Sequence, residues 1–180
     1  MERRVSLRTF GRHLWTRASA REPRGQLEAI LDESDAGDTV VIDVDGVEVF
    51  DYSFANEYFG KTLLALPRSY SGRFLVVEGL TEYTRENLEK ALESLGLAIV
   101  ERHAGSVRLL GKVHPTDQET FSAIVRVREP VAATTLRDLF AINVTAMNER
   151  LTKLTSLGLV RRERGISTAG REQYVYSAPS

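Results

Sequence analysis

The chain has 180 residues, 42% of them hydrophobic and 27% charged, with a net charge of −1 and no cysteine. This is the composition of an ordinary soluble globular protein, long enough for one average domain or two small ones, and it excludes disulfides and zinc–thiolate sites. No apolar run reaches the roughly 18 residues of a membrane span. The basic start MERRVSLRTFGRHLW lacks the apolar stretch of a secretory signal, so a reducing cytoplasm is the expected location.

In chain order, Val5 to Leu7 is expected as a short strand. Trp15, Leu27, Ile30 and Leu31 point to a helix over about 19–33, the last three on one face at i, i+3 and i+4. Asp35-Ala-Gly-Asp38 is turn chemistry, and the β-branched run TVVIDV, 39–44, is expected as a buried strand. After Asp45-Gly46, apolar residues at 54, 55, 58, 59, 63, 64 and 66 make a helical face that Pro67 is expected to end. A strand follows over 74–77, then a helix over 84–95 with Leu88, Ala91, Leu92 and Leu95 inward and Gly96 closing it. Strands over 97–101 and 107–110 turn around at Ala104-Gly105-Ser106. Strands alternating with helices predict an α/β fold, a mixed sheet with helices, over residues 1–112.

Residues 113–180 read differently. Thr116-x-x-Glu119 is a capping box before a helix with Phe121, Ile124 and Val125 inward, ended by Pro130. Thr134 or Thr135 caps a second helix, in which Leu136, Leu139 and Phe140 are expected to be buried. A turn at Ile142-Asn143 leads to a third helix, whose apolar residues Val144, Met147, Leu151, Leu154 and Leu157 share one face. Gly158 is expected in the left-handed conformation at its end. A basic strand over 159–164, a tip over 165–170 and a return strand over 173–176 complete the segment.

The stretch Arg150-Leu151-x-x-Leu154-x-x-Leu157-Gly158-Leu159-Val160 resembles the passage from recognition helix to wing in many bacterial winged-helix regulators. The resemblance implies an α+β winged helix-turn-helix domain with DNA as its first candidate partner. In that geometry the third helix enters the major groove. Thr145, Asn148, Glu149, Thr152 and Lys153 are then the reading positions: Asn can pair bidentately with adenine, and Thr can hydrogen-bond or touch a thymine methyl. Arg150 either projects outward or lies along the core edge. Arg161, Arg162, Arg164 and Arg171 in the wing suit phosphates or the minor groove. Residues 111–180 carry 10 Lys+Arg against 7 Asp+Glu, while the first 110 carry 14 against 18. The basic surplus therefore lies with the wing. The reading helix offers one Lys and one Glu outward and is nearly neutral, which leaves protein docking as the module's alternative use.

In the first half, Val40-Val41-Ile42-Asp43, Gly46-Val47 and Asp51-Tyr52-Ser53-Phe54 resemble the strand, Gly-Val pair and Asp-Ser-Ser-Gly helix start of STAS domains, the anti-sigma-factor-antagonist family, and in particular a STAS-like family of unknown function. The resemblance implies a protein-interaction switch rather than an enzyme, often paired with a kinase-like ATPase or a sigma-factor regulator. It places Ser53, beside Asp51, where antagonists carry a phosphorylated serine. Phe54 and Tyr52 depart from that pattern, and the residue-level alternative for Ser53 is a plain N-cap bonding an N–H near Asn56. A remote alternative is that Asp43-Val-Asp45-Gly-Val matches the first motif of haloacid-dehalogenase-like phosphatases, in which one carboxylate attacks phosphorus and the other moves a proton beside Mg2+. No second acidic pair follows at a later strand end. The cluster Asp43, Asp45, Glu48 and Asp51 otherwise reads as a solvated loop, a cation site or a docking patch. It could be neutralised by Arg3, Arg4, Arg8, Arg12, Arg17, Arg21 and Arg24. His13, His103 and His114 fall in separate elements without ligand spacing, so neither a metal nor a cofactor is expected. The expectation is a cytoplasmic, non-enzymatic regulator: a STAS-like sensing domain coupled to a DNA-binding winged helix, working as a homodimer because one short helix reads only a half-site.

Overall fold

The run of β-branched residues after Asp38 forms the strand around which the first half is built. In the computed structural model, which describes residues 1–179, the chain divides into two units, Met1–Val113 and His114–Pro179. The first unit contains β1 (Glu2–Ser6), β2 (His13–Leu14), α1 (Thr16–Asp32), β3 (Thr39–Asp43), β4 (Val49–Phe50), α2 (Tyr52–Ala55), α3 (Lys61–Ser69), β5 (Phe74–Glu78), α4 (Glu82–Leu95), β6 (Ala98–His103) and β7 (Ser106–Gly111). The main sheet has the order β1-β3-β5-β6-β7. It is parallel except for β7, which returns antiparallel to β6. β2 and β4 pair separately in parallel.

Strand alternation sorts the sheet into two faces. Val5, Val40, Ile42, Leu75, Val77, Ile99 and Leu110 share one core with Leu27 and Leu31 of α1, Leu63 and Leu66 of α3, and Leu88, Ala91 and Leu92 of α4. The other face carries the ions Glu2, Arg4, Asp43, Glu78 and Arg102, linked in a chain of salt bridges. The ledge between α2 and α3 explains an unusual burial pattern. Asn56–Gly60 forms a π-helical turn, which widens the inward face and lets Phe54, Ala55, Glu57, Tyr58, Phe59 and Gly60 all be buried. Phe50, Phe54, Tyr58 and Phe59 stack there with ring centroids 4.8–6.0 Å apart. The helix does not end at Pro67 as expected. Proline sits in its last turn, α3 runs on to Ser69, and the Tyr70 N–H still reaches the Leu66 carbonyl. α1 starts at Thr16, three residues earlier than expected.

The second unit contains α5 (Pro115–Val127), β8 (Val131–Ala132), α6 (Ala133–Phe140), α7 (Val144–Ser156), β9 (Arg161–Ile166) and β10 (Glu172–Ser177). Its sheet is antiparallel in the order β8-β10-β9. The two-residue β8 was not foreseen. It is too short for periodicity to reveal, and its partner β10 lies more than forty residues further on. Phe121, Ile124, Leu136, Met147, Leu151, Leu154, Leu159 and Val160 are buried. Gly158 has φ +71°. The Leu159 N–H donates to the Leu154 carbonyl and the Gly158 N–H to Thr155, a Schellman closure that turns the chain from α7 towards β9.

Two capping expectations and one burial expectation change. His114, not Thr116, caps α5: its Nδ1 accepts from the Thr116 N–H, and Pro115 takes the first helical position, where no N–H is needed. α6 begins at Ala133 without a side-chain cap, so neither Thr134 nor Thr135 serves. Leu139 and Val144, expected inside, are 66% and 41% exposed, because the core of this unit takes Leu136 and Met147 from those helices and leaves the flanking positions uncovered.

Candidate functional site

The N-terminus of α7 is set by Asn143, whose Oδ1 accepts the Ala146 N–H at 2.8 Å. With Met147, Leu151 and Leu154 fully buried, the 3.6-residue repeat turns Thr145, Asn148, Glu149, Thr152 and Lys153 outward. All five are exposed, and together with Ser156 they line one shallow open surface. Its electrostatics are weak. Lys153 Nζ lies 2.7 Å from Oδ2 of Asp117, whose carboxylate is buried at the start of α5. Arg150 turns back along the core edge: Nη1 reaches the Thr116 carbonyl and the Thr120 hydroxyl, each at 3.4 Å, and the guanidinium lies 5.7 Å from the Phe140 ring centre. Glu149 has no cation partner among the described residues.

The hairpin of β9 and β10 is different. Arg162, Arg164 and Ile166 alternate onto one face, opposite Tyr176, Tyr174 and Glu172. The Arg162 guanidinium lies over the Tyr174 ring at 4.7 Å, a stacked pair that leaves the charge in solvent. Arg162, Arg164 and Arg171 are exposed and have no carboxylate partner among the described residues. Arg161 is half-buried on the opposite face. At the tip, the Ser167 N–H donates to the Arg171 carbonyl at 2.8 Å and the Arg171 N–H to Ser167 Oγ at 3.0 Å. These bonds fix the backbone that presents Arg171. Neither the Tyr174 platform nor the Asp117 contact was singled out from the sequence. The alternating Gln173-Tyr-Val-Tyr176 pattern could have flagged the former.

In the first unit, Asp51 joins two helix starts. Its Oδ1 accepts the Phe54 N–H at 2.7 Å and caps α2. Both its oxygens lie 3.3 Å from the Thr16 N–H at the head of α1. Thr16 itself has φ +72°, a strained conformation for a β-branched residue. The capping role expected of Ser53 therefore belongs to Asp51. Ser53 sits in the first turn, half-buried, and its hydroxyl has no hydrogen-bond partner among the described residues. Next to it, the exposed Tyr52 shares a hydrogen bond of 2.8 Å with Ser94.

The acidic cluster is dispersed by its arginines. Asp43 Oδ2 pairs with Arg4 at 3.3 Å, and its Oδ1 accepts the Asp45 N–H at 3.0 Å. Glu48 pairs with Arg12 and His13. The loop after β3 also lies against Gly79 (φ +77°): a Cβ there would stand 2.5 Å from the Asp45 nitrogen, so the loops at these two strand ends meet backbone to backbone. Among the described residues, no group of three or more His, Asp or Glu is placed to hold a metal ion. Two buried carboxylates are structural. Glu57 lies between Arg24 and Lys61, and Glu101 between Arg85 and Arg108. Burial pushes each carboxyl up, but the hydrogen bonds and charges of these partners outweigh it and hold both below the usual range.

Residues 25–90, from the middle of α1 into α4, match the family model described as a STAS-like domain of unknown function (DUF4325). The matched span includes β3, Asp51, Ser53 and the π turn. A solved structure, the ST1889 protein of the thermoacidophilic archaeon Sulfolobus tokodaii, is 31% identical over 38% of this chain and 63% of that one, with a TM-score of 0.33. The chain thus spans 63% of that protein's length. No curated protein matches the chain. No helix among the described residues is long and apolar enough to cross a membrane.

Proposed function

We propose that the chain is a cytoplasmic regulator in which a STAS-like interaction domain is coupled to a winged helix-turn-helix that binds duplex DNA. The order α5-β8-α6-α7-β9-β10 and the small antiparallel sheet support the winged-helix reading, in which α7 is the reading helix and the β9–β10 hairpin the wing. The observation that carries the DNA reading is the exposed, carboxylate-free trio Arg162, Arg164 and Arg171 on that hairpin. Such charges are uncompensated on the free protein and are satisfied by phosphates, whose neutralisation releases counterions. Asn148, Thr145 and Thr152 supply donors and acceptors for base edges. With Lys153 held by Asp117, the wing supplies affinity and the helix supplies discrimination. The test is retardation of sheared genomic DNA by the full chain at low salt. Salt-sensitive retardation is the expected result, and none at 50 mM salt or below would reject the proposal.

A second reading has its own support. The Ser53 hydroxyl is spared from capping and stands in the first turn of a helix, beside the carboxylate that anchors two helix starts. Phosphate there would add about −1.5 to −2 charges next to Asp51. In this reading Ser53 and Asp51 form a partner-switching surface for a kinase-like ATPase or a sigma-factor regulator. Mass spectrometry of the protein from its native host tests it: an unmodified Ser53 under all growth conditions rejects the switch.

A further inference from the structure

The surface between α5 and α6 carries three features that belong together. First, Leu139 is 66% exposed at a core-like spacing, beside Phe140 and the buried Ala123, so a small apolar floor remains open. Second, the α5 side of this groove is Gln118, Glu119, Ser122 and Arg126. Glu119 and Arg126 are two helical turns apart on one face, about 10 Å along the axis. Both are exposed, and neither has an ion-pair partner among the described residues. Third, the midpoint between these opposite charges falls at Ser122 and Ala123, the small residues at which two helix backbones can approach closely.

We infer that this groove is the two-fold interface of a homodimer, in which α5 packs antiparallel on α5 of a second copy. A two-fold axis requires a self-complementary patch: whatever residue i meets, its partner meets in return. An axis through Ser122 and Ala123 sets Glu119 of each copy against Arg126 of the other, so a surface that is unpaired in one chain becomes doubly paired in two. Leu139 and Phe140 flank the crossing and are covered by the same contact. A partner of another kind would have to supply one acid and one base at the same spacing in reverse order, and a second copy does so automatically. The inference stands whether or not the wing binds DNA, because its test contains no nucleic acid.

The experiment is sedimentation equilibrium of the full chain over a range of concentrations, with three charge variants. Glu119→Arg sets two arginines against each other at both ends of the interface, and Arg126→Glu does the same with two acids. Each should weaken dimerisation at least tenfold, since like charges facing across an interface are strongly unfavourable. The double variant Glu119→Arg/Arg126→Glu restores both pairs and should recover dimerisation. Mixing the two single variants should yield heterodimers, because every facing pair is then opposite in sign. Leu139→Glu, an exposed position, should give a folded monomer by circular dichroism. A wild-type chain that stays monomeric at 100 μM, on the order of a weak dimer's dissociation constant, overturns the proposal. So does a dimer that Glu119→Arg and Leu139→Glu leave intact, or single variants that fail to rescue each other.

Discussion

The arginines of the β9–β10 hairpin give the most discriminating prediction of the proposed DNA binding. Arg162, Arg164 and Arg171 are three uncompensated positive charges per copy. If each neutralises one phosphate, the plot of log affinity against log salt should have a slope of about −2.7 per bound copy. Between 50 and 200 mM salt, affinity should then fall about 40-fold. Arg164→Ala with Arg171→Ala leaves one contact, a slope of about −0.9 and a fall of only about 4-fold over the same range. Both positions are solvent-exposed, so the fold should survive the change. Asn148→Ala should leave the slope unchanged and reduce the difference between preferred and random duplexes, because base contacts carry little of the salt dependence. Fluorescence anisotropy of a labelled duplex across a salt series measures all of this. An unchanged slope in the double arginine variant would remove the wing from the interface. A slope lowered by Asn148→Ala would undo the division of labour between helix and wing.

Three predictions concern the first unit. Asp51→Ala removes the cap of α2 and the contact to Thr16, and should cost about 1–2 kcal/mol in urea denaturation, whereas Ser53→Ala should change stability by no more than about 0.5 kcal/mol. Tyr58→Phe should be neutral or should raise the urea midpoint by up to about 1 kcal/mol in stability, because the phenol is fully buried without a hydrogen-bond partner; a clear loss would mean that the hydroxyl is satisfied. Glu57 and Glu101 have folded pKa values below those of the unfolded chain. Their stabilisation is therefore complete above an unfolded value of about 4.3 and is lost as pH falls through the folded values. Denaturation midpoints below pH 4.5 should decline less steeply in Glu101→Gln than in the wild type.

Much of this architecture was legible because its residues obey simple periods. Val40 and Ile42 alternate with Val41 along a buried strand. Leu88, Ala91 and Leu92 mark one helix face, and Gly96 and Gly158 both adopt the left-handed conformation that ends a helix. What was missed depends on atoms distant in sequence. Ser53 reads as a cap until Asp51 is seen holding both the Phe54 N–H and the Thr16 N–H, the latter 35 residues away from it. Pro67 reads as a stop, but in the last turn of α3 it forgoes only its own N–H bond, and the Tyr70 N–H beyond it still reaches the Leu66 carbonyl. Leu139 has the spacing of a core residue, and only the packing of α5 and α6 leaves it in solvent. On the β9–β10 hairpin, the arginines were visible one by one, while the stacking of Arg162 on Tyr174 and the restraint of Lys153 by Asp117 required the fold. It is those two contacts that separate the parts of the second unit by charge.

The position of β1 has a practical consequence. It pairs with β3 from Glu2↔Thr39 to Ser6↔Asp43, and its own outer edge is rich in charge, a common safeguard against unwanted strand addition. A shortened chain beginning at Gly25 would lose that guard. It would leave the backbone of the apolar run Thr-Val-Val-Ile open along its whole length, a template for aggregation between copies. Fragments intended for solution work should therefore keep the first six residues.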